Sequence, residues 1–275
     1  PPLPYGHQSI DEQDIAAVEK VLRDDWITQG PRIPAFEAAV ADRVGARHGV
    51  AVSSGTAALH SACLAADLKE GTEAIVPALT FGATAAAVRL TGAEVRFADI
   101  DDETLGLSAQ TVDPLLTQET RALLPVDFAG QPCDWDDLNA IGAKPGILSI
   151  ADAAHALGAS YKEQSVGSLA DMTCFSFHPV KAITTAEGGM TVTGSDSLAD
   201  RLRKVRNHGI NRDALSFSLP DQNSEDVGPW YYEIQDIGLN YRISDVHCAL
   251  GLSQLDKLDM FVNRRSVLAD RYTAA

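Results

Sequence analysis

Lys181 stands in the run Phe175-Ser176-Phe177-His178-Pro179-Val180-Lys181, followed by Thr184-Thr185-Ala186-Glu187-Gly188-Gly189. The apolar stretch 172–177 reads as a buried strand, so the lysine leaves a sheet edge among small residues and hydroxyls. Poor solvation lowers an ammonium pKa, and a neutral amine can attack a carbonyl to form a Schiff base. For one lysine taken alone, a solvated surface position is the stronger reading. Two other loops shift the balance. Ser53-Ser54-Gly55-Thr56-Ala57-Ala58 has small residues that let the backbone approach a ligand, and a helix start there would present free N–H groups to an anion. The hydroxyls of Ser54 and Thr56 add donors, although the same run is also a common helix cap. Asp152-Ala153-Ala154-His155 puts a carboxylate at the end of an apolar strand, which is expensive without a partner such as a protonated ring nitrogen. Its alternative is to cap a following helix.

Phosphate cradle, carboxylate and amine together are the protein parts that pyridoxal 5′-phosphate requires. Asp152 would keep the pyridine nitrogen protonated, and Lys181 would hold the aldehyde and later move protons. Phe81, in Leu79-Thr80-Phe81-Gly82-Ala83-Thr84, either stacks on the ring or packs in the core.

Such groups need a scaffold that delivers them to one place. Apolar runs predict strands at 49–52, 73–76, 94–98, 122–127, 147–151, 172–177 and 190–193, with helices over 56–67, 83–91, 109–117 and 134–142. The alternation predicts an α/β protein: one large domain with a mostly parallel seven-stranded sheet sandwiched by helices. Loops after parallel strands then gather at one edge, where ligands of open α/β sheets bind. The lysine segment is a poor helix, so one of the last two strands is expected to run antiparallel. Before the sheet, Ser9 to Glu12 has the form of a capping box for a helix over 10–24 with Ile15, Val18, Val21 and Leu22 on its apolar face. Trp26–Pro31 breaks it, and a second helix over 34–44 carries Phe36, Val40 and Val44. After the sheet, a basic helix over 198–205 ends at Gly209, and 211–229 reads as a long loop. Ser244-Asp245 then caps one long helix with Val246, Leu250, Leu255 and Leu258 on its apolar side.

Composition excludes several function classes. The 275 residues carry 22 Lys and Arg against 38 Asp and Glu, a net charge of −16, which argues against a nucleic-acid binder. No run approaches 18 apolar residues, so no membrane span is expected, and no signal-peptide pattern is seen. Cys63, Cys133, Cys174 and Cys248 form no CxxC pair. They read as reduced, partly buried thiols of a cytoplasmic protein, with no metal site.

On Trp26–Pro31, Ser53–Leu59, Ala151–Gly158, Phe175–Gly189 and Asn240–Leu255, within a similarity running from Tyr5 to the end, the chain resembles the DegT/DnrJ/EryC1/StrS sugar-nucleotide aminotransferases. These are fold-type I enzymes dependent on pyridoxal phosphate. The Phe175–Gly189 stretch and Gly228-Pro229-Trp230-Tyr231-Tyr232-Glu233 are most similar to the subgroup serving pseudaminic acid biosynthesis. The resemblance implies Lys181 as the Schiff-base lysine, Asp152 as pyridinium partner and His155 as the polar residue beside it. It implies Thr56, Ala57 and Ser176 as phosphate binders and Phe81 as the stacking ring. Asn240 matches a phosphate-binding asparagine from the neighbouring subunit, which implies a homodimer. Arg242 belongs to that loop or to a structural ion pair. Thr28, Gln29 and His178 resemble positions near the sugar nucleotide.

Implied for the reaction is amino transfer, with glutamate as donor, to C4 of a UDP-linked 4-keto-6-deoxy-N-acetylhexosamine. The alternatives are another keto sugar nucleotide, amination at C3, or a non-catalytic family member that only dimerises. Dehydrating relatives replace the lysine with histidine, and Lys181 argues against that activity. The resemblance also implies a division: residues 1–240 as the large cofactor-binding domain, its helical segment 1–48 included, and 241–275 leading towards a small C-terminal domain that this chain does not contain.

Overall fold

The computed structural model describes residues 6–142, 144, 146–213, 217–218, 228 and 230–275. Tyr5, Pro229 and most of the 211–229 loop, named above, lie outside the described residues. In chain order the elements are α1 (Glu12–Arg23), α2 (Arg32–Val44), β1 (His48–Val52), α3 (Gly55–Ala65), β2 (Glu73–Pro77), α4 (Gly82–Arg89), β3 (Glu94–Ala98), α5 (Ala109–Val112), β4 (Thr120–Leu123), α6 (Trp135–Gly142), β5 (Leu148–Asp152), β6 (Ser160–Tyr161), β7 (Gln164–Ser165), β8 (Met172–Ser176), β9 (Gly189–Thr193), α7 (Asp196–Arg206), β10 (Ile210–Asn211), β11 (Glu233–Ile234), α8 (Asp245–Leu255) and α9 (Leu258–Thr273).

Seven strands form one sheet in the order β1-β9-β8-β5-β4-β2-β3. β2 pairs in parallel with β3 and β4, β4 with β5, and β5 with β8. β9 runs antiparallel to both β8 and β1, the expected reversal after the lysine segment. β1 and β8 therefore point the same way. Successive strand residues face opposite sides: Val50 and Val52 join one buried cluster with α3 and α4, while Ala51 joins the other with Phe36 and Val40 of α2. Both faces are covered, which is why the strands read as near-continuous apolar runs.

β1 is an edge strand, and its outer side is closed by side chains. Glu37 accepts the Ala51 N–H at 2.9 Å, and Arg206 donates to the Ala51 carbonyl at 2.9 Å while pairing with Glu37 at 2.5 Å.

Several local expectations are corrected. The N-cap of α1 is Asp11, not Ser9: its carboxylate accepts the Gln13 and Asp14 N–H groups, and Asp14 returns a bond to the Asp11 N–H. The Ser9 carbonyl instead receives Gln254. Asp14 and Val21 are the buried residues of α1, while Ile15 and Leu22 are exposed. Asp14 is held there by Ser253 at 2.6 Å and Gln254 at 2.7 Å, so a polar cluster outcompetes the apolar stripe. β4 ends at Leu123, short of the expected 127, although the chain stays beside β5: Asp152 N donates to the Pro125 carbonyl, and Val126 bridges Asp152. Helix α7 is capped by Asn207, with Gly209 in the left-handed region two residues later and its N–H on the Lys204 carbonyl.

The last helix is two helices, broken at Asp256 and Lys257. α8 buries Asp245, Cys248, Ala249, Gly251 and Gln254 rather than Val246 and Leu250. Small residues win because the helix lies close: a Cβ on Gly251 would sit 2.7 Å from the Phe36 ring and from Thr185. Among the described residues, no helix is long and apolar enough to cross a membrane, and no group of three or more His, Cys, Asp or Glu could hold a metal.

Candidate active site

Because β1, β2, β5 and β8 are parallel, the loops after Val52, Pro77, Asp152 and Ser176 all leave the same sheet edge. Asp152 pairs with Cys174 across β5 and β8, and Lys181 follows seven residues beyond that partner.

Asp152 is buried. Thr84 donates its hydroxyl to Oδ2 at 2.6 Å, and the Ala154 N–H donates to Oδ1 at 3.2 Å. Burial pushes its carboxyl above the usual range. The two hydrogen bonds and the charges of His155 and Lys181 oppose that shift. No helix starts between Asp152 and β6, so a capping role is excluded; the Ala154 contact is a local Asx-type turn.

Lys181 is half-buried. Burial lowers its ammonium pKa, and Asp152 acts against this. The loop carrying it is fixed along its backbone. Phe177 donates to the Gly188 carbonyl at 2.9 Å, Thr184 Oγ1 and the Thr185 N–H both reach the Phe177 carbonyl, and Lys181 N donates to His178 O at 2.9 Å. From α9, Arg265 donates to the Lys181 and Ala182 carbonyls at 3.2 and 3.4 Å. His155 is exposed, with its ring edge-on to Phe128 at 6.4 Å between centroids. Its pKa is lowered by burial of part of the ring and then by the Lys181 charge, against Asp152. Lys181, Asp152 and His155 thus form one electrostatic group.

Ser54 caps α3 through the Ala57 N–H at 3.1 Å, and Ala58 N bonds the Ser54 carbonyl. Cap and cradle coincide, but Ala57 N is spent on the cap. The Gly55 and Thr56 N–H groups have no acceptor among the described residues, and Thr56 is exposed. Ser176 sits against this turn: a Cβ on Gly55 would lie 2.8 Å from its Cβ. Gly189 allows the same approach, since a Cβ there would meet the Ser54 carbonyl at 2.3 Å.

Phe81 is not core packing. It is 78% exposed, at the start of α4, and its carbonyl receives the Thr84 N–H and hydroxyl. Its backbone is therefore joined to the residue that holds Asp152.

The segment from Asn240 to Asp245 connects this edge to the N-terminal loop. Tyr241 O accepts Ser53 N at 2.9 Å, Arg242 bridges Val52, and Ile243 approaches Gly188. Ser244 then bridges Thr28. Thr28 and Gln29 are exposed, Gln29 with φ of 53°. His178 is exposed on the lysine loop. Asn240 is exposed and bridged to Asn207. Arg242 donates to the Asn207 side-chain oxygen Oδ1 at 2.7 Å, a structural hydrogen bond rather than an ion pair.

Three functional-looking residues escape the sequence reading. Thr84 lies inside the stretch quoted for Phe81, one helical turn on. Asp127 ends an apolar run as Asp152 does, which is a usable signal for a buried carboxylate. Asp245, expected as part of a cap, is fully buried and binds a loop more than 200 residues away.

These residues fit pyridoxal 5′-phosphate. Asp152 is buried with no cation within 4 Å among the described residues, so a protonated ring nitrogen would complete it. Two free N–H groups at the start of an eleven-residue helix suit a phosphate, and the uncovered ring of Phe81 follows β2, whose loop leaves the same sheet edge.

Comparisons with known proteins agree. The chain is 39% identical over 273 residues to the spore coat polysaccharide biosynthesis protein SpsC of Bacillus subtilis, covering 99% of this chain and 69% of that protein. The structure resembles that of Streptococcus pneumoniae Spr1654 in its PMP form, with a TM-score of 0.90 and 31% identity, covering 99% and 72% of the two chains. It also resembles Helicobacter pylori PseC, an aminotransferase involved in the biosynthesis of pseudaminic acid, with a TM-score of 0.83 and 30% identity, covering 94% and 66%. The DegT/DnrJ/EryC1/StrS aminotransferase family matches residues 8–275, so the chain belongs to that family of sugar aminotransferases, with pyridoxal 5′-phosphate as cofactor.

Proposed function

We propose that the chain transfers an amino group from an amino acid, glutamate being the expected donor, to C4 of a UDP-linked 4-keto-6-deoxy-N-acetylhexosamine. The observation that carries this reading is that Asp152 and Lys181 leave one sheet edge close enough for each to favour the other's charged form. The likeness to PseC and the Phe175–Gly189 stretch support the choice of sugar.

When bound, pyridoxal phosphate supplies a carbonyl that takes an amine and a ring that accepts electrons. Asp152 keeps the ring nitrogen protonated, its oxygens fixed by Thr84 and Ala154. Lys181 Nζ takes a proton from the donor carbon and returns one, and the same steps run backwards on the keto sugar. Low solvation suits this, because it favours the neutral amine over the ammonium. Gly55 and Thr56 N–H, with Ser176, hold the phosphate; Ala57 shapes the turn. Phe81 would cover the face of the bound ring, and His155 would flank it. Thr28, Gln29 and His178 face the sugar nucleotide.

We further propose a cytoplasmic homodimer in which Asn240 completes the neighbouring site, with residues 1–240 as the cofactor-binding unit and 241–275 leading to a small second domain. Four unpaired, buried cysteines are consistent with a reducing compartment.

The test is turnover of the loaded protein with glutamate and a panel of UDP-linked keto sugars, with products identified by mass and NMR. Amination at C4 of the 6-deoxy-N-acetyl sugar is expected. Amination only at C3, or of a different sugar, would replace that substrate. A folded, cofactor-loaded dimer inert towards every keto sugar would leave only the dimerising role.

A further inference from the structure

Asp245 is fully buried at the first turn of α8, yet it does not cap that helix; Ser244 does, through the His247 N–H. Its carboxylate is turned to the N-terminal loop instead. Oδ2 accepts the Gly30 N–H at 2.7 Å and Oδ1 the Arg32 N–H at 2.8 Å. Its own N–H donates to the Ile27 carbonyl at 3.1 Å, and the preceding Ser244 bridges Thr28. The path from 27 to 32 is thus bound on four sides to two residues. The loop has little hold of its own: Trp26, Ile27, Thr28 and Gln29 are exposed, and Gln29 has a left-handed backbone that non-glycine residues rarely adopt. Gly30 is the closest approach, since a Cβ there would lie 2.5 Å from Trp26 Cβ and 2.8 Å from Asp245 Oδ1. A buried carboxylate with two backbone donors is a strong, orienting interaction, and losing it leaves two part-buried donors without their acceptor.

We infer that Asp245 is a positioning residue for the acceptor half of the reaction, setting the path of residues 27–32 so that Thr28 and Gln29 meet the sugar nucleotide. The inference rests on the proposed sugar substrate. Asp245 touches neither the lysine loop nor Asp152 by any hydrogen bond, so its effect falls on one half-reaction. The amino-acid half uses Lys181, Asp152 and the phosphate turn. The sugar half needs, in addition, the loop that Asp245 holds.

Asp245→Asn keeps the volume and one acceptor but sets an amide donor against a backbone donor. Gly30→Ala displaces the loop from its own side and leaves Asp245 intact. In either variant, the KM for the keto sugar should rise about tenfold or more. The rate at which glutamate alone bleaches the visible absorbance of the loaded protein should stay within about twofold. A second readout needs no turnover. The chain has three tryptophans, of which Trp135 is buried, so in a Trp230→Phe background acrylamide quenching reports Trp26. Asp245→Asn should change that quenching in the cofactor-free protein. Unchanged quenching would overturn the clamp, and an equal fall in both half-reactions would overturn its selectivity. If the unsubstituted protein took no keto sugar while quenching still changed, the functional reading would fail and the clamp would stand.

Discussion

Thr84 Oγ1 lies 2.6 Å from Asp152 Oδ2, joining the first turn of α4 to the end of β5. The carboxylate is held from two sides, since the Ala154 N–H occupies Oδ1. Buried carboxylates lose their charge unless hydrogen bonds or cations compensate, and here hydroxyl, amide, His155 and Lys181 share that task.

Thr84→Val removes the hydroxyl at nearly constant volume. A hydrogen bond to a charged group contributes roughly 1.5–3 kcal/mol, so cofactor affinity should fall about tenfold or more. Thr84→Ser should recover most of it. An absorbance titration with pyridoxal phosphate checks this; unchanged affinity in the valine variant would show that Thr84 does not sustain the Asp152 charge.

Asp127 is a second carboxylate at the same edge. It is fully buried, accepts the Cys133 N–H at 3.1 Å, and donates its own N–H to the Asp152 carbonyl. Burial pushes its carboxyl up to about 7; the Cys133 N–H and the Trp135 indole oppose this, and the Asp152 charge adds to it. A folded-state pKa above the ordinary 3.8 means stability is fully present below about pH 4 and lost as pH rises through about 7. The loss is on the order of 4 kcal/mol. Asp127→Asn, which keeps an acceptor for Cys133, should flatten stability between pH 4 and 7 and raise the denaturant midpoint at pH 8. A pH dependence identical to that of the unsubstituted protein would sink this account.

The sheet was legible because parallel strands buried on both faces carry apolar runs; the strand expected at 172–177 matches β8 to within one residue. The amine, the carboxylate and the small-residue turn were legible because each follows such a run. What was not legible is distance-dependent. Nothing local distinguishes Thr84 from any first-turn threonine, and only the tertiary contact makes it a donor to Asp152. Asp245 reads as a helix-start acid until the fold brings Gly30 to it. The break at Asp256 has no proline or glycine to announce it. Ile15 and Leu22 suggested an apolar stripe, but the stronger demand was a buried acceptor, Asp14, for Ser253 and Gln254.

Gly189→Ala should be costly although Gly189 lies in a regular strand. The added Cβ would meet the Ser54 carbonyl oxygen at 2.3 Å and Gly55 N at 2.7 Å, all backbone. Overpacking of this kind costs about 1–3 kcal/mol. The atoms that must shift carry the Gly55 and Thr56 N–H groups, so phosphate affinity should fall as well. Chemical denaturation and binding of inorganic phosphate to the cofactor-free protein measure the two effects. A stable variant with full phosphate affinity would show that this turn does not hold the anion.

Lys181→Met separates the catalytic demand on the lysine from its effect on folding. Burial lowers the ammonium pKa below its ordinary 10.5, with Asp152 offsetting part of the shift. A folded-state pKa that is depressed places the full stability above 10.5 and loses it as pH falls through the lower folded value. At pH 7 the protonated side chain therefore works against the cofactor-free fold. Methionine fills similar space without a charge. The variant should lose turnover and the visible absorbance of the covalently held cofactor, yet melt at a higher temperature than the unsubstituted cofactor-free protein at pH 7. That advantage should shrink as pH approaches 10.5. A variant that melts lower at pH 7, by the same margin at every pH, would show that the amine stabilises the fold through packing and is not held in a poorly solvated, reaction-ready form.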